Sequence, residues 1–435
     1  MRSRAAAPER RFRLAALALG AVAAVHGLLY VPFISPHTTM DTPTYLAPAH
    51  AILHGSYTTP LPALDSTYLR IPASAVGAPE RQTMRTPGYP LLLAAVGGGK
   101  PGPSRDVLYV VQALLCGAAT FLLTLTARRL WNERLGLLAG VLYAVDPYSK
   151  RYVSIVLTEV LATFLAVAAA YAFVRARQER SAAWWAATGA LVAALTLTRP
   201  LFALAIPLAV LAALVTRAWR GTLALAAATV LLLGPWLGWT SAATGKPVLA
   251  SFGEGWNLLL AAHGEGPRTT AEVEYSKDYS REFNSVHRFA PSAEALRTDP
   301  DAHPHYLVRA DAEQRRIAWH VYRRRLGHEP LTVVGEVLYR AAFLWSAHRD
   351  WYQPAGGLGL LALELVSWLT IAIAAGGVLL ALRRSGPARD LALFLLVFTL
   401  VNAIHHVEAR YSVPVRGLEL AFAALALGAL RPRRA

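Results

Sequence analysis

Cysteine is almost absent from this 435-residue chain, whose one thiol is Cys116. That scarcity excludes an intrachain disulfide and a cysteine-rich metal site. Charged residues are also few: they make up 16% of the chain, against about 25% in an ordinary soluble domain. Phosphate-binding motifs are missing as well, since there is no G-x-x-x-x-G-K-[ST] and no G-x-G-x-x-G after a predicted strand. These absences disfavour a soluble protein, an ATP-driven pump and a cytosolic nucleotide-sugar enzyme.

Hydrophobic sequence is abundant instead, at 55% of the residues, with a mean hydropathy of +0.36. Many apolar runs approach the roughly 20 residues that a transmembrane helix needs. We therefore predict an all-α polytopic membrane protein with about ten transmembrane helices and two large outward-facing loops that carry interfacial helices. The first run is interpreted as an uncleaved span because it is long for a signal peptide. The predicted spans are 14–34, 107–126, 135–147, 152–174, 183–198, 200–216, 221–239, 356–382, 390–404 and 411–430.

The net charge of +16 does not indicate nucleic-acid binding, because the basic residues lie at the ends of the apolar runs. Alternate ends carry arginine clusters such as Arg10-Arg11 and Arg128-Arg129, whereas the opposite short loops carry few. By the positive-inside rule, both termini are predicted to be cytoplasmic. The high alanine, arginine and leucine content indicates a bacterium, and hence a multi-pass protein of the inner (plasma) membrane.

This orientation puts two long polar segments outside, at 35–106 and 240–355. We accordingly divide the chain into three parts. They are an N-terminal transmembrane module with the first outer loop (1–239), a second outer loop (240–355) and the C-terminal transmembrane helices (356–435).

One apolar stretch of the second outer loop, Leu331 to Trp345, is not predicted to span. Glu336 and Arg340 interrupt it, and a span there would invert every later arginine cluster. We interpret it as an interfacial or re-entrant helix on the outer face.

The first polar stretch beyond the first span runs from Met40 to Tyr45 and contains Asp41. Tyr45 and Ala49 follow Asp41 at i+4 and i+8, so a helix would place all three on one face. Pro43 is tolerated in the first turn of such a helix, with Asp41 near its N-cap. A helix cap or a solvated loop acid is the simpler interpretation of Asp41 alone.

Acidic residues also occur within apolar runs. Glu159 is predicted about two turns inside the fourth span, and a carboxylate there by default marks a functional site. The structural alternative is an ion pair with an arginine of a neighbouring helix. Glu419 follows Arg416 by three residues, which predicts a structural pair. Glu364 is predicted near an outer helix end, and Asp146 at an Asp-Pro turn is a weaker candidate.

Several cations are predicted on the same outer side as Asp41. Singly, each is explained by a headgroup contact or a salt bridge. Together with the two carboxylates they indicate a phosphate-bearing substrate at the outer leaflet, because a guanidinium can bind phosphate with two hydrogen bonds. These cations are Arg70, Arg81, Arg85, Arg199 and Arg410.

The loop that leads to Arg410 also holds His405, His406 and Glu408. These side chains are possible metal ligands, but neighbouring residues on a helix face different directions. A divalent cation is therefore only a possible cofactor, and no metal ligands are assigned.

The ordered set of motifs resembles that of the GT-C membrane glycosyltransferases. It is most similar to the bacterial relatives of protein O-mannosyltransferases (glycosyltransferase family 39) and of lipid A aminoarabinose transferase. Two departures are the Thr42 where the family often has a second acid and the Leu237-Gly238-Trp239-Thr240 where it often has Arg-Asn. The motifs that carry the resemblance are Asp41-x-x-x-Tyr45 with Ala49 and Gly55, Arg85-Thr86-Pro87-Gly88-Tyr89-Pro90, Leu157-Thr158-Glu159, Thr198-Arg199-Pro200, Pro235-Trp236 and Glu408-Ala409-Arg410-Tyr411.

The resemblance implies an inverting hexosyl- or pentosyltransferase that uses a polyprenyl-phosphate-linked sugar on the outer face. The implied acceptor is a hydroxyl of a glycan, lipid or protein, and no nucleic acid is involved. Asp41 is the implied catalytic base, and Glu159 is a second catalytic residue that orients the acceptor, holds a cation or tunes Asp41. The implied substrate- or phosphate-binding residues are Tyr45, Arg85, Tyr89, Arg199 and Arg410.

The residues alone leave two other function classes open, and one of them, a non-catalytic membrane scaffold, would not need an acid in a span. A polytopic transporter or flippase of a lipid-linked or anionic substrate would use Glu159 to couple proton movement. The two large outer loops and the lack of internal repeats oppose it.

Overall fold

A computed structural model describes residues 3–34, 38–61, 71–97, 103–266, 268–346 and 358–430. Regular structure within these ranges is almost entirely helical, and their only sheet has two strands. The prediction of an all-α membrane fold is confirmed.

The N-terminal part starts with a long helix, and a first outer segment of short elements follows it. The strands of this segment pair antiparallel, with Thr59 opposite Glu80. In chain order these elements are α1 (Ser3–Leu29), α2 (Thr42–Leu53), β1 (Thr58–Pro60), a 3₁₀ helix (Ala73–Ala75), β2 (Pro79–Arg81) and α3 (Gly88–Ala95).

A run of mostly apolar helices comes next and ends at the second outer segment. Its elements are α4 (Pro103–Leu130), α5 (Glu133–Ala144), α6 (Pro147–Lys150), a 3₁₀ helix (Arg151–Ser154), α7 (Glu159–Glu179), α8 (Ala182–Thr196), a 3₁₀ helix (Pro200–Leu204), α9 (Ala205–Val215) and α10 (Trp219–Thr244).

The second outer segment is helical too, and three apolar helices close the described chain. The outer elements are α11 (Glu254–Ala262), α12 (Thr270–Glu274), α13 (Lys277–Ser285), a 3₁₀ helix (Val286–Phe289), α14 (Ala293–Thr298), α15 (Ala302–His328) and α16 (Pro330–Trp345). The last elements are α17 (Leu358–Leu382), α18 (Pro387–Ala403), a 3₁₀ helix (Ala409–Val415) and α19 (Arg416–Ala429).

Ten helices lie where the ten spans were predicted: α1, α4, α5, α7, α8, α9, α10, α17, α18 and α19. Within the described residues, six segments are long and apolar enough to cross a membrane, namely α1, α4, α7, α10, α17, and α19 together with the 3₁₀ helix that precedes it (Ala409–Ala429). The helices α8 and α9 are apolar but shorter. The orientation with both termini inside, and the three-part division of the chain, stay predictions.

The fourth span differs from its prediction. Helix α7 begins at Glu159, so the expectation that Glu159 lies two turns inside the span was wrong. The residues before it are not α-helical, and several of their carbonyls accept hydrogen bonds from side chains. Gln112 donates to the carbonyls of Val153 (2.8 Å) and Ile155 (3.2 Å), and Thr42 donates to that of Val156 (3.1 Å).

The stretch predicted to be interfacial forms α16, which has 16 residues and is too short for an ordinary span. Its buried face packs on the end of α18, where Arg340 donates to the carbonyl of Ala403 at 2.7 Å. Glu336 pairs with Arg325 of α15 at 2.7 Å rather than with Arg340. The prediction that this stretch is helical is confirmed, and its position at the membrane interface stays a prediction.

The predicted pair of Arg416 and Glu419 is confirmed at 2.7 Å, and Arg416 also meets Asp146 at 3.2 Å. Asp146 caps α6 by accepting from the Ser149 N–H at 2.9 Å. This buried triad ties α19 to the turn after α5, which is a structural role. The side chain of Glu364 lies outside the described residues.

Glycines allow the membrane helices to approach closely. Gly20 of α1 and Gly117 of α4 face each other, and a Cβ on either would lie 2.8 or 2.7 Å from the carbonyl oxygen of the other. In α17, a Cβ on Gly377 would overlap the backbone carbonyl of Phe422 in α19, whereas a Cβ on Gly376 would meet only the Ala426 Cβ, at 3.9 Å. Both glycines therefore lie inside α17, but only Gly377 is packed against the backbone of α19.

We expect Gly377→Ala to lower the free energy of unfolding by about 1–3 kcal/mol, because α17 and α19 must move apart to admit the methyl group. Gly376→Ala is the matched control, and it should leave stability unchanged or raise it by up to about 1 kcal/mol through helix propensity. Unfolding of the purified protein in detergent measures both. Equal effects of the two substitutions would contradict the close packing of α17 on α19.

Candidate active site

Asp41 is the centre of a charged cluster. It precedes the first residue of α2, as predicted, but its side chain makes no capping hydrogen bond. One carboxylate oxygen accepts from Arg85 at 2.6 Å, and the other accepts from Arg410 at 2.9 Å. The simpler interpretation of Asp41 as a helix cap therefore does not hold, because both oxygens are used by arginines.

Arg85 is held in place by its surroundings on the first outer segment. Its Nε donates to Thr44 at 2.8 Å, and its guanidinium lies 4.7 Å over the ring of Tyr45. The hydroxyl of Tyr57 donates to the Arg85 carbonyl at 2.9 Å. Both the guanidinium and the main chain of Arg85 are thus fixed relative to Asp41.

Close packing at Gly88 places the segment that carries Arg85 beside the segment that carries Arg199. The Gly88 N–H donates to the carbonyl of Leu197 at 2.7 Å. A Cβ on Gly88 would lie 2.6 Å from that oxygen and from the hydroxyl of Thr198. Only glycine fits there, so the two motifs that were predicted separately share one contact.

Glu159 lies beside this contact and accepts from Arg199 at 3.3 Å. Its side chain is 2% exposed, whereas that of Asp41 is 29% exposed. The Arg199 guanidinium also lies 5.4 Å from the centre of the Tyr411 ring. Glu159 is therefore in a buried ion pair, whereas Asp41 is partly accessible to solvent.

The two predicted tyrosines are packed against each other. The rings of Tyr45 and Tyr89 meet edge to face at 5.5 Å, and Tyr89 donates to Gln112 at 3.2 Å. Tyr89 is fully buried, so its hydroxyl is not on the open side of the cluster. Tyr45 lies between the charges: burial raises the pKa of its hydroxyl, and the charges of Arg85, Asp41, Arg199 and Glu159 all act on it.

Arg410 connects Asp41 to a second group of ionisable residues. It contacts both oxygens of Glu408, one of them at 3.0 Å. His406 follows: its Nδ1 donates to the carboxylate of Glu265 at 2.7 Å, and its Nε2 lies 3.6 Å from Glu408. A continuous row of charges thus runs from Glu265 of the second outer segment to Asp41.

The protonation of this row follows from its contacts. Burial alone would raise the pKa of Asp41, but the positive charges of Arg85 and Arg410 hold it below the usual value. Burial alone would lower the pKa of His406, but hydrogen bonds to Glu265 and Glu408 raise it to about 9. His406 and Arg410 in turn lower the pKa of Glu408 to about 2 against the effect of burial. All three are charged at neutral pH.

The remaining predicted outer residues lie elsewhere. Arg81 pairs with Asp301 of the second outer segment at 2.7 Å, and Arg70 lies outside the described residues. His405 donates to the carbonyl of Val401 at 2.8 Å, away from His406. Among the residues that the structure describes, no group of three or more His, Cys, Asp or Glu side chains is arranged to hold a metal ion.

Sequence reasoning missed the ion partners of His406. Glu265 is 141 positions away in the chain, so no local pattern joins the two. One signal was present: Glu265 stands between Gly264 and Gly266, which have φ values of +90° and +139°. Positive φ favours glycine, so the sequence Gly264-Glu265-Gly266 indicates a turn at Glu265.

Comparisons with known proteins agree with this architecture. Residues 86–239 match the family described as dolichyl-phosphate-mannose-protein mannosyltransferase. That segment includes Glu159 and Arg199, whereas Asp41, Arg85 and Arg410 lie outside it. No curated protein matches the chain.

Among solved structures, the archaeal oligosaccharyltransferase AglB from Archaeoglobus fulgidus, in complex with an inhibitory peptide and a dolichol-phosphate, matches 95% of this chain with a TM-score of 0.50 and 15% identity. The match covers 50% of that protein, so the present chain spans about half its length. ArnT from Cupriavidus metallidurans in the apo state matches 94% of this chain and 76% of its own, with 15% identity and a TM-score of 0.38. The family match over residues 86–239 and the fold shared with AglB confirm the predicted resemblance to GT-C membrane glycosyltransferases.

Proposed function

We propose that this protein transfers a sugar from a polyprenyl-phosphate-linked donor to an acceptor hydroxyl on the outer face of the bacterial inner membrane. The observation that carries the proposal is the half-exposed Asp41 carboxylate between Arg85 and Arg410. A base and two phosphate-binding groups are thereby within hydrogen-bond distance of one another. The family match and the fold support the general class of reaction.

The chemistry assigned to Asp41 is general base catalysis. An inverting transfer forms a bond between the acceptor oxygen and the anomeric carbon, and it breaks the bond from that carbon to the donor phosphate. The acceptor proton passes to Asp41, and the electron pair leaves with the polyprenyl phosphate. The leaving phosphate needs no strong acid, but it needs cations, and Arg85 and Arg410 supply them.

The charges of the cluster explain how donor binding would make the Asp41 carboxylate a stronger base. Without substrate, the arginines Arg85, Arg199 and Arg410 are balanced by the acids Asp41, Glu159 and Glu408. A carboxylate between two arginines is a weak base, because its pKa is low. When a phosphate takes over the arginine hydrogen bonds, Asp41 loses them and gains a negative neighbour. Both changes raise its pKa and make it a better base at the moment when the donor is bound.

Glu159, Tyr45 and Tyr89 are assigned supporting roles. Glu159 holds Arg199 in a buried pair, and Tyr45 holds Arg85 through its ring face. Tyr89 packs under Tyr45 and is not proposed to touch substrate. The possibility that Glu159 orients the acceptor requires Arg199 to release it first.

His406 is assigned a positioning role through Glu408. Its ring is clamped between the carboxylates of Glu265 and Glu408, with the rings of Trp256 and Tyr411 at 5.5 and 6.3 Å. Glu408 in turn orients Arg410 towards Asp41. Through this row, the second outer segment fixes the direction from which Arg410 reaches the donor phosphate.

Loss of the base tests the proposal directly. We expect Asp41→Asn to lower the rate of sugar transfer by about 100-fold or more, because no base then takes the proton from the acceptor hydroxyl. Mass spectrometry of envelope glycolipids and glycans, in cells that lack the gene and in cells that carry each variant, should show one sugar that depends on Asp41. Asp390→Asn, which breaks a comparable 2.8 Å ion pair with Arg177, is the control and should keep that sugar. An unchanged sugar profile with folded Asp41→Asn protein would refute the assignment.

The competition between Asp41 and phosphate predicts opposite effects on lipid binding. Arg85→Gln and Arg410→Gln should each weaken the binding of undecaprenyl phosphate by about tenfold or more, since each removes a charged hydrogen bond. Asp41→Asn should strengthen binding, because it frees both arginines. Native mass spectrometry in detergent measures the three affinities without knowledge of the sugar. Weaker binding by Asp41→Asn would contradict the competition.

The contacts of His406 with Glu265 and Glu408 predict that the stability of the folded protein depends on pH. A histidine whose pKa is raised from 6.5 to about 9 on folding contributes stability that is fully present below pH 6.5 and is lost as the pH rises through about 9. The full contribution is on the order of 3 kcal/mol. Thermal unfolding in detergent should therefore give a melting temperature that falls between pH 6.5 and 9, and His406→Gln should abolish this fall. His405→Gln should keep the fall. If both variants abolish it, His406 is excluded as the specific cause.

A further inference from the structure

Arg85 lies in a stretch of chain that has no regular secondary structure. This stretch, residues 82–87, connects β2 to α3 and forms neither helix nor strand. It is nevertheless buried, since Gln82, Thr83 and Thr86 are each at most 5% exposed. The main-chain groups of such a stretch are paired by side chains and neighbouring segments rather than by a helix or a sheet. These partners therefore determine where Arg85 lies.

Gln82 is the residue through which these partners act on Arg85. Its side-chain oxygen accepts from the main-chain N–H groups of Met84 (2.8 Å) and Arg85 (3.2 Å). Its own N–H donates to the carbonyl of Tyr57, directly before β1, at 2.9 Å. A shift of Gln82 therefore moves the main chain of Arg85, three residues further along.

Trp239 of α10 holds the remaining main-chain group of Gln82. It belongs to one of the two places where the sequence departs from the GT-C pattern. Its indole N–H donates to the Gln82 carbonyl at 3.0 Å. Its ring also meets the ring of Tyr57 edge to face at 6.3 Å, and the hydroxyl of Tyr57 donates to the Arg85 carbonyl at 2.9 Å. One tryptophan thus contacts both residues that orient the main chain of Arg85.

A second tryptophan of α10 makes the same kinds of contact with other partners. Trp236 lies three residues before Trp239, on the same side of the helix. Its ring meets that of Tyr57 edge to face at 5.7 Å, and its indole N–H donates to the carbonyl of Leu249 at 2.9 Å. The two tryptophans therefore differ in their acceptor, because only Trp239 donates to Gln82.

We propose that Trp239 is a positioning residue for the donor phosphate and acts through the main chain of Arg85. The inference rests on the proposed function, in which Arg85 binds that phosphate. When the phosphate replaces Asp41, the guanidinium turns to it while the main chain of Arg85 stays in place. The hydrogen bond from Trp239 to Gln82 holds that main chain, and a guanidinium on a fixed main chain loses less conformational freedom on binding. The indole N–H therefore raises the affinity for the phosphate.

The stretch keeps a second anchor when this hydrogen bond is lost. The carbonyl of Thr83 accepts from the N–H of Ser251 at 3.0 Å, and the hydroxyl of Thr83 donates to that of Ser251 at 2.9 Å. Both residues are at most 1% exposed. We therefore expect Trp239 variants to fold, with Arg85 held less firmly.

Binding of undecaprenyl phosphate to the full-length protein in detergent tests this proposal, with native mass spectrometry as the measurement. Trp239→Phe keeps an aromatic ring and removes the N–H, and we expect it to weaken binding by about two- to tenfold, the range for one hydrogen bond. Trp236→Phe is the matched control. It also loses one indole hydrogen bond, but it should bind the lipid like the wild type. Thermal unfolding checks that both variants are folded.

A double variant separates positioning from a purely structural role. If Trp239 acts through Arg85, then Trp239→Phe adds nothing to the loss of affinity that Arg85→Gln causes. A second probe guards against an effect of the smaller ring. Benzothienylalanine at position 239 has sulfur in place of the indole N–H and nearly the same shape, and it should weaken binding as Trp239→Phe does.

The inference is overturned if the protein with benzothienylalanine at position 239 binds the lipid like Trp236→Phe. It is also overturned if the effects of Trp239→Phe and Arg85→Gln add in full. Both outcomes leave the proposed function standing as long as Arg85→Gln itself weakens binding. If Arg85→Gln binds the lipid like the wild type, the phosphate-binding role of Arg85 is wrong, and the proposed function fails independently of Trp239.

Discussion

The ion pairs of Asp41 with Arg85 and Arg410 are the contacts on which the arrangement of the outer face depends. Arg85 reaches Asp41 because Gly88 docks against Leu197, and Arg410 reaches it because Glu408 and His406 direct it. Removal of one member leaves the others with unbalanced charge in a partly buried place, which is more costly than the pair itself is stabilising. Asp41 therefore fixes the first outer segment relative to the α18–α19 loop, and the Gly88–Leu197 hydrogen bond fixes it relative to the α8–α9 turn.

Much of this site was readable from the sequence because its parts carry local signals. Apolar runs separate the membrane helices from the outer segments, and arginine motifs such as Arg85-Thr86-Pro87-Gly88 interrupt them. The position of Glu159 was not readable. Nothing local shows that α7 begins only at Glu159, after a segment whose carbonyls accept from Gln112 and Thr42. Hydropathy reports where the chain is apolar, but not where a helix begins within an apolar run.

The row from Glu265 to Asp41 shows the same limit for the chemistry. Viewed locally, His405, His406 and Glu408 look like ligands for a metal. In the fold, His406 turns to Glu265 and His405 turns back to its own helix, so the histidines are separated. A contact between residues 141 positions apart has no periodicity to reveal it. The glycines on both sides of Glu265 were the one local sign that its backbone serves a special purpose.

The separation of Asp41 and Arg410 by 369 positions has a consequence for biosynthesis. Membrane helices enter the bilayer in the order in which the ribosome makes them, so Asp41 and Arg85 meet long before Arg410 and Glu408 are translated. In a nascent chain, Asp41 therefore has Arg85 as its arginine partner before Arg410 exists. The cluster is completed only when the loop before α19 folds against Asp41.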